Sequence, residues 1–99
     1  MIFLDTETTG VDPRKHCIVS IGALDYDRPE VRFYRECRIW DGAEITEEAL
    51  KVNGFTGEQI TDPSKPSVDQ IVREFFAWTK LITDRTPAGI TPAFDAGFI

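Results

Sequence analysis

The chain has 99 residues, of which 41% are hydrophobic, including seven Phe and two Trp. That length allows one domain at most, and the apolar share suffices for a core, which excludes general disorder. Seventeen acids against eleven Lys and Arg give a net charge of −6 without any basic block, which argues against a protein that tracks a long duplex through its phosphates. An enzyme that holds only a chain end stays open, because bound divalent cations invert the field at a carboxylate cluster.

The two cysteines, Cys17 and Cys37, follow no metal-ligand spacing. One disulfide is arithmetically available, but their setting reads as reduced, partly buried thiols. Met1-Ile2-Phe3-Leu4 runs straight into Asp5, too short for a signal-peptide core, and no apolar run reaches membrane-spanning length. The expectation is a soluble, cytoplasmic protein without a membrane partner.

Ile2 to Leu4, followed by Thr8-Thr9-Gly10, reads as a buried strand entering a turn. Ile18 to Leu24 reads as a second strand, with Val19, Ile21 and Ala23 on one side and Ile18, Ser20, Gly22 and Leu24 on the other. Both sides are small or apolar, which suits a central strand. Asp25 to Pro29 is turn-like. Val31 to Ile39 alternates, with Val31, Phe33, Cys37 and Ile39 on one face, interrupted by Arg35, and Arg32, Tyr34, Glu36 and Arg38 on the other. This predicts a half-exposed edge strand and, with the first two, a meander.

The period then changes. Thr46 caps a short predicted helix carrying Ala49, Leu50 and Val52 and ending near Asn53-Gly54. Thr56 with Gln59 predicts a capping box for one further turn. Ser67 with Gln70 opens the clearest helix, residues 68 to 82, with Val68, Ile71, Val72, Phe75, Thr79 and Ile82 spaced three or four apart. Thr86 to Ile90 reads as a fourth strand, and Pro92 precedes a last helical turn with Phe94, Asp95, Phe98 and Ile99. The apolar end of the sequence suggests a C-terminally incomplete domain, a fragment or a chain completed by another.

Asp5 and Glu7 are two residues apart, so on a strand their side chains leave from the same side. Such a pair can share a hard, oxygen-seeking cation. Asp95 lies where a helix opening beside the first strand would aim it at the same spot. By spacing alone each acid also fits an ordinary strand end or helix start.

Three segments carry a resemblance. Phe3-Leu4-Asp5-Thr6-Glu7-Thr8-Thr9-Gly10 resembles the first signature of the DEDD (DnaQ-like) 3'-5' exonuclease superfamily, with the likeness nearest to the proofreading subunits of bacterial DNA polymerase III. Ala49 to Thr56 resembles the segment after the third strand, and Ala88 to Ile99 the second signature. The likeness spans the whole chain but only the first half to two thirds of such a domain, so residues 1–99 read as its N-terminal portion.

The resemblance implies an α/β, ribonuclease H-like fold: a mixed sheet starting with a three-stranded antiparallel meander, flanked by helices. It implies hydrolysis of the terminal phosphodiester at DNA or RNA 3' ends, with two Mg2+ or Mn2+ ions in the complete domain. Asp5, Glu7 and Asp95 match the metal-holding, catalytic acids. The backbone of Thr8, Thr9 and Gly10 matches the stretch lying against the terminal nucleotide. Single-stranded 3' ends and a polymerase or a completing chain are the implied partners.

The family's fourth acid and its general base lie downstream of the second signature, beyond Ile99. His16, the one histidine, and Tyr26 and Tyr34 fall far from the base's position. Thr91 stands where the family commonly carries Asn. The isolated chain is therefore expected to bind metal weakly and to be inactive. The alternative is an inactive remnant, or a nucleic-acid- or protein-binding module with a degenerate metal site.

Overall fold

The computed structural model describes residues 1–88 together with Phe98 and Ile99. Among them the sheet has four strands: β1 (Ile2–Thr8), β2 (Ile18–Asp25), β3 (Arg28–Glu36) and β4 (Pro87–Ala88). Their spatial order is β3-β2-β1-β4. β1 pairs antiparallel with β2 and parallel with β4, and β2 pairs antiparallel with β3. The mixed sheet starting with an antiparallel meander is thus the observed architecture. Three helices lie between β3 and β4: α1 (Glu47–Asn53), α2 (Gly57–Ile60) and α3 (Val68–Thr79).

β1 alternates strictly. Ile2, Leu4, Thr6 and Thr8 are buried, whereas Phe3 and Asp5 are exposed and Glu7 is half-buried. The strand runs four residues past the expected Leu4, so Asp5 and Glu7 sit inside it.

The core forms where the sheet meets α3. Leu4, Ile18, Ile21, Phe33 and Cys37 pack with Ile71 and Phe75 of that helix. Phe33 and Phe75 meet edge to face, with ring centroids 5.7 Å apart, a favoured aromatic geometry. Ile18 and Ile21 share this cluster although simple alternation assigns them to opposite sides. A register shift between Glu7 and Thr8, where Thr8 pairs with Ile18, interrupts the alternation.

The β2–β3 connection is shorter than expected, with only Tyr26 and Asp27 between the strands. Asp25 accepts a hydrogen bond from the Asp27 N–H at 3.1 Å, a side-chain mimic of a turn. A second register shift between Leu24 and Asp25 takes up the extra residues of β3.

All three helix starts obey their capping signals. Thr46, Thr56 and Ser67 each accept from the N–H three residues on, satisfying a donor that has no intrahelical partner. The Thr56–Gln59 box is reciprocal. Gly54 ends α1 at φ 78°, in the left-handed region that glycine enters without a Cβ clash. α3 stops at Thr79, three residues before the expected Ile82, which is still buried. Both cysteines are free and fully buried, and both Sγ atoms donate to the Ile18 carbonyl at 3.2 Å. Their burial raises the thiols, Cys17 to about 11 and Cys37 to about 12.

Candidate active site

Asp5 and Glu7 leave the same face of β1, opposite the one that packs on α3. In the next strand Asp5 faces Gly22 and Glu7 faces Ser20; beyond these stand Tyr34 and Glu36 of β3. This face therefore carries two rows, Asp5-Gly22-Tyr34 and Glu7-Ser20-Glu36. The Tyr34 hydroxyl donates to Glu36 Oε2 at 2.7 Å, and Lys65 Nζ lies 3.0 Å from Glu36 Oε1. Tyr34 and then Lys65 hold the Glu36 carboxyl below its ordinary range. Loss of solvation, followed by Glu36, pushes the Tyr34 phenol up to about 12, with Glu7 adding to the rise.

Glu7 also borders a cleft of about 470 Å³. Thr8, Gly10 and Val11 form one wall; Ala49, Val52 and Asn53 of α1 form the other. Val52, 86% exposed, lines this cleft together with Ala49, and α1 has no buried residue. A larger hollow of about 630 Å³ between α3 and the segment after β3 has Trp40 and Val72 in its lining, and neither Asp5 nor Glu7 borders it.

The turn after β1 is held from below. Thr9 is fully buried, its hydroxyl donating to the Glu44 carbonyl at 2.6 Å and accepting from the Cys17 N–H at 2.9 Å. Thr46 donates to the Thr9 carbonyl through both its backbone N–H, at 2.8 Å, and its hydroxyl, at 2.9 Å. Thr8 donates to the Gly10 carbonyl at 2.6 Å. Asn53 donates to the Thr8 carbonyl at 3.0 Å and accepts from the Phe55 N–H at 3.0 Å, which locks the end of α1 to the end of β1. Thus Thr8 and Gly10 reach the cleft wall while the Thr9 side chain turns into the fold.

His16 lies beneath this turn, against Gly10 and Asp12. A Cβ placed on Gly10 would sit 2.4 Å from its ring, so only glycine fits there without displacing the imidazole. Asp95 and Thr91 lie outside the described residues. Among the described residues no three His, Cys, Asp or Glu side chains gather as a metal site. Two carboxylates on one strand face are nevertheless hard oxygen donors of the type Mg2+ and Mn2+ prefer, so the described part of the donor set fits such an ion.

The profile of the RNase T exonuclease family matches residues 2–99. The chain belongs to that exonuclease family. Among its relatives is the DNA polymerase III subunit epsilon of Rickettsia typhi, 35% identical over 100 residues, which cover 99% of this chain and 42% of that protein. The Rickettsia prowazekii counterpart is 36% identical over 104 residues with the same coverage. This exonuclease-family chain thus spans about two fifths of the length of these relatives.

Solved structures share the fold. The nuclease domain of 3'hExo, a DEDDh family member bound to rAMP, superposes with a TM-score of 0.60 at 18% identity, covering 89% of this chain and 48% of that one. A 3'-exonuclease described in 3'-end specific recognition of a histone mRNA stem-loop gives a TM-score of 0.62 at 18% identity, covering 89% and 34%. The ribonuclease H-like exonuclease fold is therefore that of this chain.

Sequence reasoning did not single out Val11, Val52, Asn53, Ser20 or Tyr34 for the site. Asn53 lay inside a segment with family resemblance, and Tyr34 lay on the alternating face of the third strand. Both signals were present, but the register and the helix orientation that give them meaning are tertiary.

Proposed function

We propose that this chain is the metal-holding, N-terminal part of a 3'-5' exonuclease acting on DNA or RNA ends. The observation that carries the reading is the placement of Asp5 and Glu7 on one face of β1, with Glu7 bordering a cleft walled by Thr8 and Gly10. Asp5 and Glu7 would hold Mg2+ or Mn2+, with Asp95 as the third ligand. When bound, two such ions supply an activated water and stabilise the leaving 3' oxygen.

The chain's own residues bind and orient. The Thr8–Gly10 backbone would hold the terminal nucleotide, and Val11, Ala49 and Val52 offer an apolar surface at which its base loses water. A cleft this small on a chain of net charge −6 suits one terminal nucleotide of a single strand rather than a duplex. Relationship to polymerase III epsilon subunits favours a polymerase as partner. The fourth acid and the general base would come from outside these 99 residues, so we expect the isolated chain to be inactive.

The test titrates Mn2+ into the purified chain by electron paramagnetic resonance and follows 3'-labelled single-stranded DNA and RNA in Mg2+. One weak Mn2+ site lost in Asp5→Ala, with no digestion, is the expected result. Mn2+ binding indifferent to Asp5→Ala would overturn the metal site. Digestion that depends on Asp5 would retain the nuclease reading and overturn the expected inactivity.

A further inference from the structure

His16 has no place in the chemistry above, yet it is the side chain on which the cleft wall rests. Its ring is buried against Gly10: Cγ, Cδ2 and Nδ1 all lie 2.4–2.5 Å from where a Gly10 Cβ would stand. Its Nδ1 accepts the Asp12 N–H at 3.0 Å, and its own N–H donates to the Asp12 carbonyl at 2.7 Å. The acceptor role of Nδ1 requires that atom to carry no hydrogen, which places the proton of the neutral ring on Nε2. The neighbouring residues are also fixed: the Glu44 N–H donates to the Lys15 carbonyl at 2.8 Å, and the Thr9 N–H donates to the Cys17 carbonyl at 2.9 Å. The segment from Gly10 to Asp12 therefore wraps an imidazole that is itself held by the backbone on both sides.

We propose that His16 is a positioning residue that sets the height of the Gly10 and Val11 peptides at the cleft, and through them the affinity for a terminal nucleotide. The proposal rests on the nuclease reading for its ligand, but the placement of the turn is measurable without one. Removal of the ring leaves a void beneath Gly10 and takes the acceptor from Asp12, so the turn sinks or opens. Asn in its place retains an oxygen at the δ position for the Asp12 N–H, so it restores the turn without restoring the ring.

The probe is thymidine 5'-monophosphate with Mg2+, titrated into the 15N-labelled 99-residue chain and followed by amide NMR. Mn2+ alone is titrated separately by electron paramagnetic resonance. In His16→Ala the Gly10 and Val11 amides shift, nucleotide affinity falls by about ten-fold, and affinity for Mn2+ alone stays within about two-fold, since a misplaced wall weakens orientation while Asp5 and Glu7 remain. His16→Asn recovers most of the nucleotide affinity, an outcome that a loss of bulk packing would not give. Unchanged Gly10 and Val11 amides in His16→Ala, or unchanged nucleotide affinity, overturn the proposal. If His16→Ala fails to fold, an Asn variant that folds but binds the nucleotide no better than Gly10→Ala overturns it as well. A wild-type chain that binds no nucleotide, with amides that still move in His16→Ala, sinks the nuclease reading and leaves His16 as the support of the turn.

Discussion

Asp5 on β1 stands directly across from Gly22 on β2, so the position beside the carboxylate carries no side chain. A Cβ at Gly22 would lie 3.7 Å from both the Asp5 carbonyl oxygen and Tyr34 Cδ1, which is ordinary contact. Gly22→Ala should therefore keep the fold, with stability within about 1 kcal/mol of the parent, because alanine suits a strand better than glycine. Gly22→Leu would raise a branched side chain between Asp5 and Tyr34. The expected outcome is a folded protein with weakened Mn2+ binding, read by thermal unfolding and electron paramagnetic resonance. Wild-type Mn2+ affinity in Gly22→Leu would place the cation elsewhere.

Thr9 should matter for stability out of proportion to its size. Valine matches its shape but removes the acceptor for the Cys17 N–H and the donor to the Glu44 carbonyl. Thr9→Val should cost about 2–4 kcal/mol, since a buried polar group left without its partner forfeits its hydration. Urea unfolding followed by circular dichroism checks this through the shift of the midpoint. A loss below about 1 kcal/mol would mean that the turn rearranges to find other partners.

Much of this fold is written locally. Thr46, Thr56 and Ser67 announce their helices because a cap needs only the three residues that follow. The meander is legible from alternation, since the period of two requires no knowledge of a partner. What local pattern misses is pairing. Arg35 interrupts the apolar face of β3, and the reason is Glu74 of α3, whose Oε2 lies 3.4 Å from its Nε, with the guanidinium also 4.8 Å over the Phe33 ring. Ile18 and Ile21 reach one cluster through a register shift that no spacing rule reveals. The placement of Asp5 and Glu7 on one strand face was legible through the period of two. The cleft was not, because its second wall belongs to α1, whose orientation is fixed by the bond from Asn53 to Thr8.

The two thiols give a pH dependence with a defined sign. Burial raises Cys17 to about 11 and Cys37 to about 12, above the value of 9.0 for a free thiol. A raised value means that the folded state keeps its protons longer than the unfolded chain. Their contribution is thus fully present below about pH 9 and is lost as pH rises through about 11 and 12. The melting temperature should fall between pH 9 and 11, and Cys17→Ala/Cys37→Ala should flatten much of that slope. Tyr34, raised from 10.0 to about 12, adds to the fall in the same direction, and Tyr34→Phe should remove its part. At neutral pH neither thiol should react with Ellman's reagent until urea unfolds the chain.

Asp5→Asn separates charge from shape at the proposed metal site. Asn occupies the same volume and keeps one oxygen, but it lacks the charge that a hard cation requires. Asp5 is exposed and lies on the same strand face as Glu7 in a chain of net charge −6. Stability should stay within about 0.5 kcal/mol, as for most surface changes, while Mn2+ binding is lost. Asp95→Asn gives the complementary test. If Asp95 completes the same site, its replacement alone should weaken Mn2+ binding, and adding it to Asp5→Asn should cost little more, because ligands of one ion do not act additively. Mn2+ affinity unchanged in Asp95→Asn would leave Asp5 and Glu7 as a two-carboxylate site whose remaining ligand lies elsewhere.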